Sequence, residues 1–321
     1  MEAYSYPAIP GLTRAINGAV AGALLRPRLV RFGPDLVIAY WAYPEGMAGV
    51  RAAHALGKPC IVGALGTDVL LRSGWMETLT RKTLQRADAV SVVSRDLERV
   101  VAQRYGVEPT RIHTIVNGHN TGIFHPQDRD ACRTTLGLRA DTRLIVFVGR
   151  LIEAKGLREL LEAFHRVAAA DALAELVIIG DGAMRDTLAR LASASDAASR
   201  IHLAGALPPE RVALWLGACN LLCLPSWSEG HPNVVVEALA SGRPVVASDV
   251  GGMRELVHCD NGALVPPRDP LALAGALTQA LARAWDGDQI ASAMRRTWDD
   301  VAGELLSLAE DLVSTNPRVG C

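Results

Sequence analysis

Arg150 and Lys155 lie in a short segment of the chain that is bounded by Gly149 and Gly156. Two fixed cations at this spacing can clamp a diphosphate and neutralise the negative charge that grows on it as a bond to it breaks. The same side chains could instead be solvated loop residues, and the spacing alone favours neither interpretation. The segment is therefore a candidate diphosphate site that needs support from elsewhere in the chain.

A second candidate lies in the segment from Ser228 to Gly242. A loop with glycine and proline opens an apolar helix there, so unpaired amides around Gly230 to Val234 could receive phosphate oxygens. Glu237 lies inside that helix, where a carboxylate can accept the two hydrogen bonds that the vicinal hydroxyls of a ribose donate. Glu229 stands on the loop, nearer to any reacting sugar.

Short apolar runs rich in β-formers alternate with helix-length segments, which indicates parallel strands joined by crossover helices. The predicted fold class is α/β, with two Rossmann-like doubly wound parallel sheets that face a cleft. A ligand would lie at the carboxyl ends of the strands. The predicted strands are 35–41, 59–65, 89–94 and 113–117 in the front half and 143–150, 175–181, 200–205, 221–226, 243–249 and 262–267 in the back half.

Turn-forming residues between Gly118 and Pro126 predict the boundary between the two halves. The length of 321 residues also favours two domains. The predicted division is a first domain at 1–125, a linker at 126–141, a second domain at 142–285 and a closing segment at 286–321.

The composition excludes several classes of protein. Apolar residues make up 50% and charged residues 21% of the chain, which excludes disordered and collagenous proteins. The net charge of −1 gives no reason to expect nucleic acid as a partner. The six cysteines are scattered without metal-ligand spacing, so they indicate neither a disulfide framework nor a zinc site, and a reducing, cytoplasmic location fits best. A basic stretch near Arg81, Lys82 and Arg86 could face anionic lipid or be a solvated helix face.

The two candidate segments resemble the retaining, nucleotide-sugar-dependent glycosyltransferases of family 4, which have the GT-B fold. The resemblance rests on the Gly-Arg and Lys-Gly pairs of the first segment and on Glu229 and Glu237 around a Gly-x-Pro-Asn interior. Further matches are Gly180–Gly182, Asn117–Gly118, Ser248–Gly252 and Thr297–Asp299, the last resembling a closing helix that crosses back to the first lobe. Matches at Tyr6–Gly11, Trp41–Gly46 and Gly66–Asp68 look like the teichuronic-acid and exopolysaccharide subgroup.

This resemblance implies that Arg150 and Lys155 bind the donor diphosphate, that Glu237 holds the ribose and that Glu229 contacts the donor sugar. It implies catalysis without a metal or other cofactor, since the UDP- or GDP-sugar is itself the substrate. The acceptor would be a glycan or lipid-linked molecule in cell-surface polysaccharide synthesis. Peripheral contact at the inner membrane face is predicted only from the basic stretch near Arg81, Lys82 and Arg86. The other implied donor contacts are Gly149, Gly230, His231, Pro232, Asn233 and Val234, and the acceptor-side candidates are Asp68 and Glu45.

The chain departs from the family pattern in its front half. Its first predicted strand begins only at Asp35, which predicts an incomplete first lobe, and Leu65 stands where the family often has histidine or arginine. Two alternatives therefore stay open. One is a nucleotide-binding remnant or a subunit of a split enzyme, and the more remote one is a GT-B sugar-nucleotide epimerase, which would not predict the arrangement of Glu229 and Glu237.

Overall fold

The computed structural model describes residues 16–315. Their contacts divide them into two units, one formed by 16–116 with 299–315 and the other by 117–298. Each unit is built on a parallel sheet with helices around it, so the predicted α/β class is confirmed. The predicted motif at Tyr6–Gly11 lies outside the described residues.

The first unit contains a four-stranded parallel sheet in the order β1-β2-β3-β4. Strands β2 and β3 are buried along their whole length, because their small and β-branched side chains face helices on both sides. The strands are β1 (Val37–Tyr40), β2 (Cys60–Ala64), β3 (Ala89–Val92) and β4 (Ile112–Thr114), and the helices are α1 (Asn17–Phe32), α2 (Met47–His54), α3 (Thr67–Leu70), α4 (Gly74–Arg86) and α5 (Arg95–Tyr105).

The second unit contains a six-stranded parallel sheet in the order β10-β9-β8-β5-β6-β7. The strands are β5 (Arg143–Val148), β6 (Ala174–Ile179), β7 (Ile201–Gly205), β8 (Leu221–Leu224), β9 (Val245–Ser248) and β10 (Gly262–Val265). The helices are α6 (Arg129–Leu136), α7 (Leu157–Ala170), α8 (Arg185–Ser193), α9 (Pro209–Ala218), α10 (Asn233–Ala240), α11 (Pro270–Ala282) and α12 (Gly287–Ser292).

The last helix, α13 (Trp298–Ser314), lies almost entirely in the first unit. Its Val301 and Leu308 share a buried cluster with Ile61, Ala89 and Ile115 of that unit. The chain therefore leaves the first unit after Val116 and returns to it at Asp299.

All ten predicted strands are present, but most end two or three residues earlier than predicted. Strand β5 ends at Val148 and β8 at Leu224, because the glycine and proline that follow them leave the ladder. The segment 126–141, predicted as a linker, instead contains α6 and belongs to the second unit, which begins nine residues earlier at Asn117.

The basic stretch on α4 is partly used within the fold. Arg81 donates hydrogen bonds to Glu77 and to the carbonyl of Arg104, whereas Lys82 and Arg86 are exposed. Among residues 16–315, no helix combines the length and the apolar character needed to span a bilayer.

Two distant segments meet where the second unit begins and ends. The amide of His119 donates to the carbonyl of Arg296 at 3.1 Å, and His119 forms a parallel bridge with Thr297. A Cβ on Gly118 would lie 2.2 Å from the carbonyl carbon of Thr297, so only glycine allows this approach.

We expect Gly118→Ala to destabilise the second unit by about 2–3 kcal/mol, because backbone atoms cannot move aside as a flexible side chain would. The control is Gly275→Ala on α11, where no atom lies within 4 Å of the added Cβ. That change should stabilise the helix by about 0.5–1 kcal/mol. Urea unfolding measures both, and equal midpoints for the two variants would contradict the close approach.

Candidate functional site

The candidate site of the second unit lies where its strand order reverses. Strand β5 pairs with β6 on one side and with β8 on the other, with Ile145 opposite Leu221. Loops that leave neighbouring strands in opposite directions open a crevice at the carboxyl edge of a parallel sheet. Arg150 and Lys155 follow β5, and Glu229 follows β8, so both predicted segments border this crevice.

Glycines allow the loops around the crevice to touch through their backbones. Gly156 has φ +65°, and a Cβ on it would lie 2.0 Å from the carbonyl oxygen of Pro225. Gly251, with φ +53°, brings the loop after β9 equally close to the carbonyl oxygen of Glu229. Any larger side chain at either position would push the loops apart.

Lys155 and Glu229 form an ion pair across the two loops. The Nζ to Oε1 distance is 2.5 Å, and the two side chains are only 18% and 10% exposed. A charge this poorly solvated is stable only with a partner, so each of the two fixes the position of the other. Arg150, in contrast, is exposed, and its guanidinium makes no hydrogen bond to any residue in 16–315. It is free to bind an anion.

The first turn of α10 presents backbone donors at the same edge. Pro232 is the N-cap and offers no side-chain oxygen, and the amides of Asn233 and Val234 have no acceptor within the described part of the chain. Unpaired amides at a helix N-terminus carry partial positive charge and bind anions. The loop from Gly230 to Val234 therefore supplies the type of donor that a phosphate needs.

His231 and Asn117 fix the start of this helix. The side-chain amide of Asn117 donates to the carbonyl of His231 at 3.2 Å and to Oδ1 of Asn233 at 2.7 Å. Burial lowers the pKa of His231 to about 4, so its ring is neutral at pH 7. The ring Nδ1 is buried and finds no acceptor or donor in the structure as described. Contact of His231 with a donor stays a prediction.

Glu237 is a partly buried carboxyl group without a counter-charge. Burial alone raises its pKa to about 7, and no hydrogen-bond donor among residues 16–315 reaches its oxygens. Burial of an ionised carboxylate without a hydrogen-bond partner lowers the stability of the folded protein. A ligand with two hydroxyl groups could donate the missing hydrogen bonds and so restore that stability.

Sequence reasoning missed a set of contacts made by Trp227, which hold the loop that carries Glu229. The amide of Trp227 donates to the carbonyl of Ala154, and its indole Nε1 donates to Glu159 at 3.0 Å. The guanidinium of Arg268 stacks over the indole ring at 4.1 Å. Trp227 could have been noticed as an aromatic residue two positions before Glu229, but nothing in the sequence connects it with Arg268 or Glu159.

The acceptor-side candidates lie in the first unit. Asp68 is 1% exposed, and its oxygens accept hydrogen bonds from the amides of Ala42, Leu65 and Gly66. The carboxylate thus anchors two loops, which is a structural role that the sequence did not indicate. Glu45 is exposed. Contact of either residue with an acceptor stays a prediction.

Two of the cysteines lie in the core of the second unit. Cys219 and Cys223 are fully buried, and burial raises the pKa of Cys219 to about 11. No group of three or more potential metal ligands comes together in this part of the chain. Catalysis without a metal stays a prediction.

Two families match the chain, one in each half. Residues 3–122 match the family described as Glycosyltransferase Family 4, and residues 142–283 match Glycosyl transferases group 1. The chain is 30% identical over 283 residues to a putative teichuronic acid biosynthesis glycosyltransferase of Bacillus subtilis, covering 85% of this chain and 69% of that protein. It is also 30% identical over 300 residues to D-inositol 3-phosphate glycosyltransferase of Acidothermus cellulolyticus, covering 86% of this chain and 66% of that protein. The chain thus spans about two thirds of the length of these relatives.

Two solved structures illustrate the similarity of the fold. Sucrose-phosphate synthase from Thermosynechococcus elongatus superposes with a TM-score of 0.82 at 25% identity, over 96% of this chain and 81% of that one. Anabaena HepE in complex with UDP and glucose superposes with a TM-score of 0.76 at 24% identity, over 91% and 83% of the two chains. The predicted GT-B architecture is confirmed by these similarities.

Glu237 should make the stability of the protein depend on pH. Its pKa of about 7 lies above the value of an unfolded glutamate, so the folded state holds the proton more tightly. The tighter proton binding in the folded state contributes fully to the free energy of unfolding below about pH 4.5. This contribution is lost as the pH rises to about 7. We expect Glu237→Gln to remove this loss and to be more stable than the unmodified protein at pH 8 by on the order of 2–3 kcal/mol.

Urea unfolding at several pH values between 4.5 and 8, without nucleotide, measures this difference. Glu210→Gln is the control, because Glu210 is an exposed glutamate of the same unit. Parallel pH profiles for the unmodified protein and Glu237→Gln would contradict a buried, uncompensated carboxyl group.

Proposed function

The chain belongs to the family 4, group 1 glycosyltransferases, and from that premise we propose that it transfers a sugar from a nucleoside diphosphate sugar to a glycan or lipid-linked acceptor. The proposed transfer keeps the anomeric configuration and serves cell-surface polysaccharide synthesis. The relatives named for teichuronic acid biosynthesis and for D-inositol 3-phosphate as a substrate support a glycan or polyol acceptor. Because HepE was solved with UDP, uridine diphosphate is the first nucleotide to test.

One observation carries the proposal. The guanidinium of Arg150 and the amides of Asn233 and Val234 make no hydrogen bond within residues 16–315, and Glu237 has no counter-charge there. The segments that carry these groups follow β5 and β8, whose carboxyl ends border one crevice. Cation and amides suit a diphosphate, and the carboxyl suits a ribose. A nucleoside diphosphate presents both groups in one molecule.

Lys155 and Glu229 are proposed to act together on the reacting end of the donor. The ammonium of Lys155 has three donors, and Glu229 uses one of them. The other two can bind the diphosphate while Glu229 holds Lys155 in place and accepts a hydrogen bond from a sugar hydroxyl.

In the proposed reaction, the bond between the anomeric carbon and the diphosphate oxygen breaks as the acceptor oxygen bonds to that carbon from the same face. The bonding electrons leave with the diphosphate, and the acceptor hydroxyl gives its proton to the departing phosphate oxygen. Arg150, Lys155 and the first amides of α10 stabilise the charge that grows on the diphosphate. No further base is needed in this scheme, and the cations do what a bound metal ion would otherwise do.

The first unit is proposed to contribute acceptor recognition through Glu45 and the loop that Asp68 anchors. Peripheral contact with an anionic membrane surface rests on Lys82 and Arg86, since Arg81 is hydrogen bonded within the fold. A cytoplasmic location would give the enzyme access to nucleotide sugars.

The proposal predicts selective stabilisation by a nucleoside diphosphate. At about 100 times its dissociation constant, such a ligand adds ~2.7 kcal/mol of stability. Thermal unfolding with UDP, GDP and ADP would show which base is preferred, and release of nucleotide from a panel of sugar donors would then measure turnover.

We expect Lys155→Met to lower turnover by at least about tenfold more than it lowers nucleotide affinity, because the charge of Lys155 acts mainly on the departing diphosphate.

A matched control separates this effect from a loss of stability. Lys155→Met leaves Glu229 as a buried charge without a partner, so the double variant Lys155→Met with Glu229→Gln restores neutrality. The double variant should fold as stably as the unmodified protein and keep the low turnover of Lys155→Met. Full turnover in the double variant, or the absence of any shift with all three nucleotides, would overturn the proposal.

A further inference from the structure

A cavity of about 300 Å³ opens at the opposite edge of the six-stranded sheet from the site described above. Asn220 and Pro244, which precede β8 and β9, lie in its wall, so it is at the amino ends of these strands. Its lining includes Arg129, Arg243 and Arg283 but no aspartate or glutamate. The cavity is large enough for a small organic ligand and is positively charged.

Arg243 is the central observation. It is 7% exposed, and its Nη2 donates to the carbonyls of Gln127 and Gly217. Its Nε is buried without an acceptor, and Nη1 forms no hydrogen bond with the described residues. Nε is closed off from the cavity, but Nη1 is not among the fully buried atoms, so an anion in the cavity could supply the acceptor that Nη1 lacks.

A neighbouring arginine shows what a purely structural role looks like here. Arg133 is 4% exposed, and all three of its nitrogens donate to oxygens, which belong to Ala140, Thr142, Ala218 and Asn220. Arg133 is thus satisfied by carbonyl groups alone. Arg243 is similarly buried, but two of its three guanidinium nitrogens lack a hydrogen-bond acceptor among the described residues.

The other two arginines leave the cavity cationic. Arg129 is exposed and forms no ion pair within residues 16–315, and Arg283 stacks on Trp285 at 4.0 Å while donating to the carbonyl of Cys259. The carboxylates of Asp128 and Asp286 adjoin the lining in the sequence, but each caps a helix. The charges nearest to Arg243 include Arg129 and Arg133, and burial together with these arginines lowers the pKa of Arg243.

We propose that this cavity is a second anion site, which binds a small phosphate-bearing molecule between Arg129, Arg243 and Arg283. Three guanidinium groups can bind the oxygens of a phosphate or pyrophosphate through charge-assisted hydrogen bonds, and Trp285 offers an apolar wall to the rest of the ligand. The inference does not rest on the proposed transfer reaction, since none of these residues borders the crevice between β5 and β8.

Calorimetric titration of the full chain with inorganic phosphate and with pyrophosphate, at ionic strength fixed with chloride, tests the proposal. The titrations use a background of Arg150→Met, Lys155→Met and Glu229→Gln, which removes the cations of the first site. We expect saturable binding of one ligand per chain in this background. Arg129→Gln and Arg283→Gln should each weaken it by at least about fivefold, because each loses a charge-assisted contact.

Arg211→Gln is the control, because Arg211 is an exposed arginine of the same unit that does not line the cavity. It should leave the affinity unchanged. The two cavity variants alter exposed side chains, so the test does not depend on replacing the buried Arg243. Absence of saturable binding in the background variant, or equal affinity in all three single variants, would overturn the proposal.

Discussion

Strands β5 and β8 are neighbours in the sheet although the segments β6 to α9 separate them along the chain. This pairing brings the loop with Arg150 and Lys155 beside the loop with Glu229, and everything proposed about the site depends on it. Gly156 then allows the first loop to rest directly on the carbonyl of Pro225. Sheet order and the close approach at Gly156 therefore bring the two loops together, and the side chains then hold them in place.

Some of the charged groups at this edge of the sheet are paired with each other and some are not. Lys155 and Glu229 compensate each other at 2.5 Å, whereas Arg150 and Glu237 have no such partner within the described residues. The first pair gives the loops a fixed geometry, and the other two groups retain interactions for a ligand. A site built in this way loses some stability in the absence of ligand and regains it on binding. Neutral His231 and the Asn117 hydrogen bonds keep the first turn of α10 in place meanwhile.

Short apolar runs rich in β-formers predicted all ten strands, because parallel strands that are buried on both faces form nearly continuous apolar runs in a sequence. Local sequence patterns predicted the structure less well where contacts between distant residues determine it. The turn formers between Gly118 and Pro126 placed the end of the first domain at residue 125, yet contacts of His119 with Arg296 and Thr297 make residues from Asn117 onwards part of the second unit. Residues far apart in the chain produce the stacking of Arg268 on Trp227 and the burial of Arg243. No local pattern in the sequence indicates either.

A crystal structure of the full chain with UDP tests the central claim most directly. The account predicts a diphosphate against the amides of Asn233 and Val234 with Arg150 in contact, and ribose hydroxyls within hydrogen-bond distance of Glu237. A nucleotide bound elsewhere, or bound with its ribose away from Glu237, would contradict the assignment of this edge as the donor site.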